Sequence, residues 1–450
     1  MGKYFGTDGF RGEANVTLTS MHAYRIGRFL GKYLGDKKEN GEGARVVIGK
    51  DTRRSSYMLE YSIAAGIAAS GTDVYMLHVI TTPGVSYVTR TDGFDAGIMI
   101  TASHNPYYDN GIKILNSDGE KLEDSVTDMI EEYIDGGDIE YATGKDIGRI
   151  VDYVSGRNRY IGHLISLASC SYKDLRIGLD TANGASFEIA RSVFSALGAK
   201  VEQIGASPNG TNVNDACGST HIDALSSLVK EKKLDVGFAF DGDADRCIAV
   251  DSDGRVIDGD GIMFVLAKRL LRLGILTENK IAATVMSNSG FVESLRRIGI
   301  STDITKVGDR YVYERMQKEG YALGGEQSGH IIIRKYAQTG DGILTALMLC
   351  EELCDTSLTL TELTRDLTLY PQYGTSVRVR DKDSVLCAEG VRNTVKKIES
   401  QIRKEGRVLL RKSGTEPVIR IMVECESEED ARLYTEMIKE KIWEYERAEE

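Results

Sequence analysis

Short β-branched runs, each followed by a glycine-rich turn and an amphipathic helix, recur along most of this chain, and that alternation limits its folds more than any other feature. Arg45–Gly49 reads as a buried strand, and Met58 to Ala69 as a helix closed by Gly71. Val74 to Leu77 and Ala96 to Thr101 read as further strands, and Glu120 to Ile134 keeps helical spacing up to Gly136 and Gly137. The pattern restarts at Arg176–Asp180 and at Lys280–Val285. Strands alternating with helices of this length imply α/β domains with mixed, largely parallel sheets. The last eighty or so residues differ. Strands are expected at Ser376 to Arg380, Val408 to Leu410 and Val418 to Glu424, with helices at Val385 to Arg403 and Glu428 to Tyr445. That is an α+β unit with helices on one face of a mixed sheet. The expected boundaries give α/β domains at 1–153, 154–254 and 255–368 and an α+β domain at 369–450.

At 450 residues the chain exceeds what a single core organises. Five prolines and no low-complexity linker imply that the domains pack closely. Hydrophobic residues at 41% and charged residues at 28% match a soluble globular protein. No apolar run approaches the roughly 20 residues of a membrane span. The opening Met1-Gly2-Lys3-Tyr4-Phe5 lacks the apolar core of a signal peptide, so the expected location is the cytoplasm. The seven cysteines form no C-x-x-C pair; Cys350 and Cys354, one helical turn apart, read as buried packing. A net charge of −12 without a basic stripe excludes duplex nucleic acid as a partner. An acidic chain that takes an anionic substrate must gather its cations in one place.

Four loops carry residues that neither core nor ordinary turn requires. Thr101-Ala102-Ser103-His104-Asn105-Pro106 follows an apolar strand, and ligands of α/β sheets bind at the carboxyl ends of strands; an Asn-Pro turn with a solvated serine is the plainer alternative. Asp241-Gly242-Asp243-Ala244-Asp245-Arg246 sets three carboxylates at alternate positions, which repel unless a cation compensates. An EF-hand fails here, because Arg246 replaces its glycine and Ser252 its bidentate glutamate. Three oxygens from one short loop leave positions open, as Mg²⁺ working on a phosphate requires. Gly324-Gly325-Glu326-Gln327-Ser328-Gly329-His330 offers acceptors and a donor for sugar hydroxyls on a close-approaching backbone. Arg411-Lys412-Ser413-Gly414-Thr415-Glu416-Pro417, with Arg420 beyond it, has the make-up of a phosphate-binding nest. No G-x-x-x-x-G-K-[ST] occurs, and no G-x-G-x-x-G follows a strand, so phosphoryl groups need a source other than a bound nucleotide.

Together, in this order, and with Gly6-Thr7-Asp8-Gly9-Phe10-Arg11-Gly12 near the start, the loops resemble the α-D-phosphohexomutase superfamily along the whole chain. Gly-Glu-Gln-Ser-Gly-His and Val307-Gly308-Asp309-Arg310-Tyr311-Val312 resemble its phosphoglucosamine branch, where phosphomannomutase relatives usually carry Met in place of Gln327. Phe10 stands where Ile is usual, and Ala244 where Gly is common. The resemblance implies four domains, three related α/β and one α+β, around a central cleft. It implies that Ser103 is a phosphoserine whose phosphate completes a site for one Mg²⁺ with Asp241, Asp243 and Asp245. Arg246 would face the phosphates, and Glu326 and Ser328 would read sugar hydroxyls. Arg411, Ser413, Gly414, Thr415 and Arg420 would hold the phosphate that is not reacting. Arg11, His104, Lys113 and His330 would line the reacting end, with Lys113 and His330 both open as proton carriers.

The implied reaction interconverts glucosamine 6-phosphate and glucosamine 1-phosphate through a 1,6-bisphosphate, which also stands as a candidate activator, and feeds UDP-N-acetylglucosamine and cell-wall precursors. The only partner implied is the small-molecule hexosamine phosphate, with a homodimer left open and no nucleic acid or membrane. A phosphomannomutase or phosphoglucomutase is the nearest rival, followed by a metal-dependent sugar phosphatase and a non-catalytic sugar-phosphate sensor.

Overall fold

The computed structural model describes residues 2–6, 8–38, 43–402, 406–413 and 417–448. They form two compact units: Met1–Val285 with Asp303–Arg365, and Met286–Thr302 with Asp366–Glu450.

The first unit is built on sheets sandwiched by helices. Its largest sheet has seven strands in the order Phe5–Gly6, Gly9–Glu13, Asp109–Leu115, Ala96–Ile100, Arg45–Lys50, Asp73–Val79 and Ile150–Asp152. Arg45–Lys50 runs parallel to both Ala96–Ile100 and Asp73–Val79, whereas Asp109–Leu115 is antiparallel to its two neighbours. Val46, Val47 and Ile48 are all fully buried, as a strand covered on both faces must be. A second sheet orders Val256–Ile257, Cys247–Asp251, Val236–Phe240, Arg176–Asp180 and Lys200–Ile204. Val236–Phe240 is parallel to Arg176–Asp180 but antiparallel to Cys247–Asp251, so residues 241–246 are the tip of a hairpin between two buried strands. A third sheet holds Leu323–Gly325 and Ile331–Ile333 as another hairpin, with Lys280–Thr284 parallel to its first strand. The sheets are therefore mixed, and each candidate loop leaves the end of a strand.

In the second unit the sheet orders Gln372–Arg378, Val418–Glu424 and Arg407–Lys412, and both pairings are antiparallel. This corrects the expectation of a mixed sheet. Only five residues separate Arg407–Lys412 from Val418–Glu424, and so short a connection cannot make the crossover that parallel strands need. Ile419, Ile421 and Val423 alternate onto a core shared with Val391, Ile398, Ile438 and Ile442 of the covering helices. The expected helix at Val385 to Arg403 is two helices, Lys382–Cys387 and Glu389–Gln401, broken where Ala388 takes an extended ψ of 124°. In the first unit the helix expected from Glu120 starts at Asp124, because Leu122 still bonds the backbone of Ile114. The helix expected from Met58 starts earlier, at Arg54. Cys350 is buried on its helix and Cys354 partly so. No helix among the described residues is long and apolar enough to cross a membrane.

Candidate active site

Ser103 sits just past the buried strand Ala96–Ile100 with a left-handed backbone, φ 51°, and is 1% exposed. A non-glycine residue held there costs roughly 1–2 kcal/mol, so its surroundings must impose the conformation. Its N–H donates to Thr101 Oγ1 at 2.9 Å, and its carbonyl accepts from Arg53 Nη2 at 2.9 Å and Asn214 Nδ2 at 2.8 Å. The side chain is thereby aimed at the neighbouring loop: Oγ donates to Asp241 Oδ2 at 2.5 Å. The backbones of the two loops nearly touch. A Cβ on Gly242 would lie 2.5 Å from the Ser103 carbonyl oxygen, so only glycine fits between Asp241 and Asp243.

Asp241, Asp243 and Asp245 are all buried, and one oxygen from each can come within 4.8 Å of the others. Lys113 Nζ, from the strand Asp109–Leu115, donates to Asp243 Oδ2 at 2.8 Å and Asp245 Oδ2 at 3.0 Å. Burial works against the charge on Lys113, but those two carboxylates overcome it and raise its pKa. Burial, joined by repulsion from Asp245 and Asp243, pushes Asp241 up to about 8. Asp245 is also buried, yet Lys113, His330 and Arg246 hold it well below the usual carboxylate range. Among the described residues, Asp243 Oδ1 and Asp245 Oδ1 are buried without a hydrogen-bond partner. Two unsatisfied carboxyl oxygens in a cluster of three aspartates fit a small, hard divalent cation such as Mg²⁺.

Cations surround this corner. The backbone N–H of Arg246 reaches Asp241 Oδ1 at 3.3 Å, and its buried Nε has no hydrogen-bond partner among the described residues. Arg11, on the strand Gly9–Glu13, pairs with Asp8 at 3.4 Å. His104 Nδ1 lies 3.4 Å from Ser103 Oγ. Burial, helped by Arg246 and Arg11, brings the His104 pKa down to about 4, so its ring is neutral at physiological pH. His330 lies 3.8 Å from both Asp245 and Asp309, and Gly340 N–H donates to its Nε2 at 3.0 Å. Its burial opposes a charge, while Asp245 and Asp309 raise its pKa. The structure thus brings together Ser103, His104, Arg11, Lys113, Arg246, His330 and the three aspartates. A cavity of about 770 Å³ opens beside them, with Lys113, Asp245 and His330 in its wall.

Glu326 and Ser328 ride the tip of the hairpin between Leu323–Gly325 and Ile331–Ile333. Glu326 Oε1 accepts from Gly308 N–H at 3.0 Å, and Ser328 is exposed. In the second unit Arg411 and Arg420 are directly opposite partners on adjacent antiparallel strands, so both side chains leave the same face. Ser413 N–H bonds the Val418 carbonyl at 3.0 Å and extends the pairing of those strands by one residue. Gly414 and Thr415 lie outside the described residues.

Profiles for the four domains of phosphoglucomutase/phosphomannomutase match the chain in order. α/β/α domain I covers residues 2–140, domain II 158–254, domain III 258–370 and the C-terminal domain 375–441. The phosphoglucosamine mutase of Lachnospira eligens is 54% identical over 444 residues, 98% of either chain. That of Oceanobacillus iheyensis is 45% identical over 97% of this chain and 98% of its own. The chain belongs to the phosphoglucosamine mutase family. Solved structures share its fold at lower identity. A phosphoglucomutase/phosphomannomutase family protein from Burkholderia thailandensis superposes with a TM-score of 0.78 at 23% identity, covering 98% of this chain and 96% of that one. The N-acetylphosphoglucosamine mutase of Aspergillus fumigatus, solved with GlcNAc-6P and magnesium, gives 0.66 at 17% identity over 98% and 96%.

Sequence reasoning about this phosphoglucosamine mutase family member missed several residues that shape the corner. Thr82 donates its hydroxyl to Asp243 Oδ2 and its N–H to the Asp243 carbonyl. Asn214 and Arg53 hold the Ser103 carbonyl. Asp309, bonded by Lys121 at 2.8 Å, flanks His330. Of these only Asp309 carried a signal, inside Val307–Val312.

Proposed function

We propose that this isomerase interconverts glucosamine 6-phosphate and glucosamine 1-phosphate in the cytoplasm, with phosphorylated Ser103 as the phosphoryl carrier. The observation that supports this most strongly is the Ser103 hydroxyl, held 2.5 Å from Asp241 inside a carboxylate cluster and in a strained backbone. Such placement suits a group that gives and takes a phosphoryl unit, because phosphoryl transfer needs positioning and charge stabilisation more than covalent chemistry.

Phosphoserine 103 gives its phosphoryl group to the free hydroxyl of the bound sugar phosphate, forming the 1,6-bisphosphate. The intermediate turns round and returns its other phosphoryl group to Ser103, leaving the isomeric monophosphate. Asp241, Asp243 and Asp245 would hold Mg²⁺, which supplies positive charge to the transferring group. Lys113, kept protonated by two carboxylates, serves as a fixed positive charge rather than a base. Proton movement at the sugar hydroxyl is left to the imidazoles of His104 and His330. Arg11 and Arg246 offset the charge of the phosphate at this end. Glu326 and Ser328 hold sugar hydroxyls in either orientation, and Arg411, Ser413 and Arg420, with Gly414 and Thr415, hold the phosphate that is not reacting. Binding at that remote phosphate keeps the sugar aligned during transfer.

The test is intact mass together with turnover. Wild-type protein should carry one phosphate that disappears in Ser103→Ala, and kcat/KM should be highest for glucosamine phosphate among glucosamine, mannose and glucose phosphates. Rapid isomerisation by an enzyme that carries no phosphate would overturn the relay, and a preference for mannose or glucose phosphate would reassign the sugar.

A further inference from the structure

Asp51 and Arg53 follow the buried strand Arg45–Lys50. Both are 0% exposed. Arg53 Nε donates to Asp51 Oδ2 at 2.7 Å, and the rest of the guanidinium is spent on backbone carbonyls. Nη2 donates to Ser103 and Asn105, each at 2.9 Å, while Nη1 donates to Pro106 and, at 3.2 Å, to Asp109. A buried arginine thus spans the whole turn that carries the serine. Asp51 reaches the same turn from the other side. Its Oδ2 also accepts from Thr101 Oγ1 at 2.8 Å, and Thr101 Oγ1 in turn accepts from Ser103 N–H at 2.9 Å.

These bonds close a ring: Ser103 carbonyl, Arg53 guanidinium, Asp51 carboxylate, Thr101 hydroxyl, Ser103 amide. Both backbone groups of the serine are tied to one carboxylate, and the residue between the two ties is the one forced to φ 51°. Asp51 is itself fixed, since Oδ1 accepts from Arg53 N–H at 3.0 Å and from Ser56 Oγ at 2.7 Å. Bonds between ionised groups are roughly twice as strong as neutral ones, and more so out of water, so the ring can offset the unfavourable backbone.

We propose that Asp51, acting through Arg53 and Thr101, is the positioning residue that holds the Ser103 backbone left-handed and so aims its oxygen for transfer. The side chains that build the ring bond the Ser103 backbone and one another, so it should govern the rate of transfer and leave substrate binding alone. The proposal rests on Ser103 being the phosphoryl carrier.

Thr101→Val keeps the shape and removes the hydroxyl that joins the ring; Thr101→Ser keeps the hydroxyl. Both are compared with wild type for kcat, KM, melting temperature and phosphate on Ser103 by intact mass. Thr101→Val should lose on the order of 10- to 100-fold in kcat, as sub-ångström misplacement of a reacting group does, with KM within about twofold. Thr101→Ser should recover most of that loss. Wild-type kcat in Thr101→Val, or equal losses in the two variants, would overturn the proposal. Should Thr101→Val fail to fold, Arg53→Lys carries the same test, because a lone ammonium cannot span the carboxylate and the carbonyls; an unchanged kcat there overturns the proposal as well. Normal turnover by Thr101→Val enzyme that still carries phosphate removes only the ring, whereas an active Ser103→Ala enzyme removes the relay beneath it.

Discussion

The serine–aspartate corner and the arginine hairpin both handle phosphate in the proposed reaction, and they are built on opposite electrostatic plans. In the corner, charge is matched in place. Lys113 lies between Asp243 and Asp245, Arg53 lies on Asp51, and Ser103 is gripped at its amide, carbonyl and hydroxyl. In the hairpin, two like charges stand opposite one another, Arg411 against Arg420, on a half-buried face. Like charges directly opposite on a strand pair repel, and an arriving phosphate would relieve that repulsion. The difference follows from the tasks. A transferring phosphoryl group needs partners already fixed to within a fraction of an ångström, whereas a phosphate that arrives and leaves needs a surface whose energy falls when it is occupied.

The largest effect should come from the corner. Ser103→Ala should lower isomerisation on the order of 10³-fold or more while the melting temperature holds, as loss of a nucleophile does elsewhere; a folded and active variant would leave the corner without its purpose. Metal removal comes next. Chelator should abolish activity and Mg²⁺ restore it, and Asp243→Asn should weaken Mg²⁺ binding at least about tenfold by titration, since a charged oxygen is exchanged for a neutral one. Full turnover in demetallated protein would break the assignment of the aspartates.

The hairpin should show a smaller and symmetric effect. Arg420→Ala should reduce kcat/KM by about 10- to 100-fold in both directions and let more bisphosphate escape, consistent with a charged hydrogen bond of roughly 1.5–3 kcal/mol. Arg420→Lys should recover part of the loss, because charge is kept and the fork is not. Loss in one direction only would mean that the hairpin does not serve both half-reactions. The smallest effect concerns a buried acid outside the cluster. Burial pushes Asp341 up to about 6, against its bonds from Leu344 N–H and Tyr160. The folded pKa lies above the unfolded one, so wild type should lose stability as pH rises from about 4 through about 6. Asp341→Asn should escape that loss, and its melting temperature relative to wild type should rise by a few degrees between pH 4.5 and 7.5. A flat difference would place the strain of buried acids in the catalytic corner alone.

How far the sequence could be read depends on how local each signal is. Arg176–Asp180 and Val418–Glu424 are strands between the residues expected, because apolar and β-branched side chains predominate there. Gly9–Glu13 and Asp109–Leu115 went unread, since their glycines, Asn110 and Lys113 look like turn and their pairing with each other spans a hundred residues. The break at Ala388 left no mark in a periodicity that runs through it. At the site, Ser103 and the three aspartates were legible because each loop carries its unusual composition within a few positions. Thr82 and Asn214 were not, because a threonine or asparagine becomes informative only when the fold brings it to a distant loop.

The ammonium of Lys113 between Asp243 and Asp245 bears on how the protein comes into being. Three carboxylates crowded at a hairpin tip would ordinarily make folding wait on a metal ion, as it does for many small metal-built domains. Here the chain brings its own counter-ion, delivered by a strand of its first sheet. Closing this corner therefore draws on a charge of the chain itself, and a cation held by the aspartates would add to that balance rather than create it.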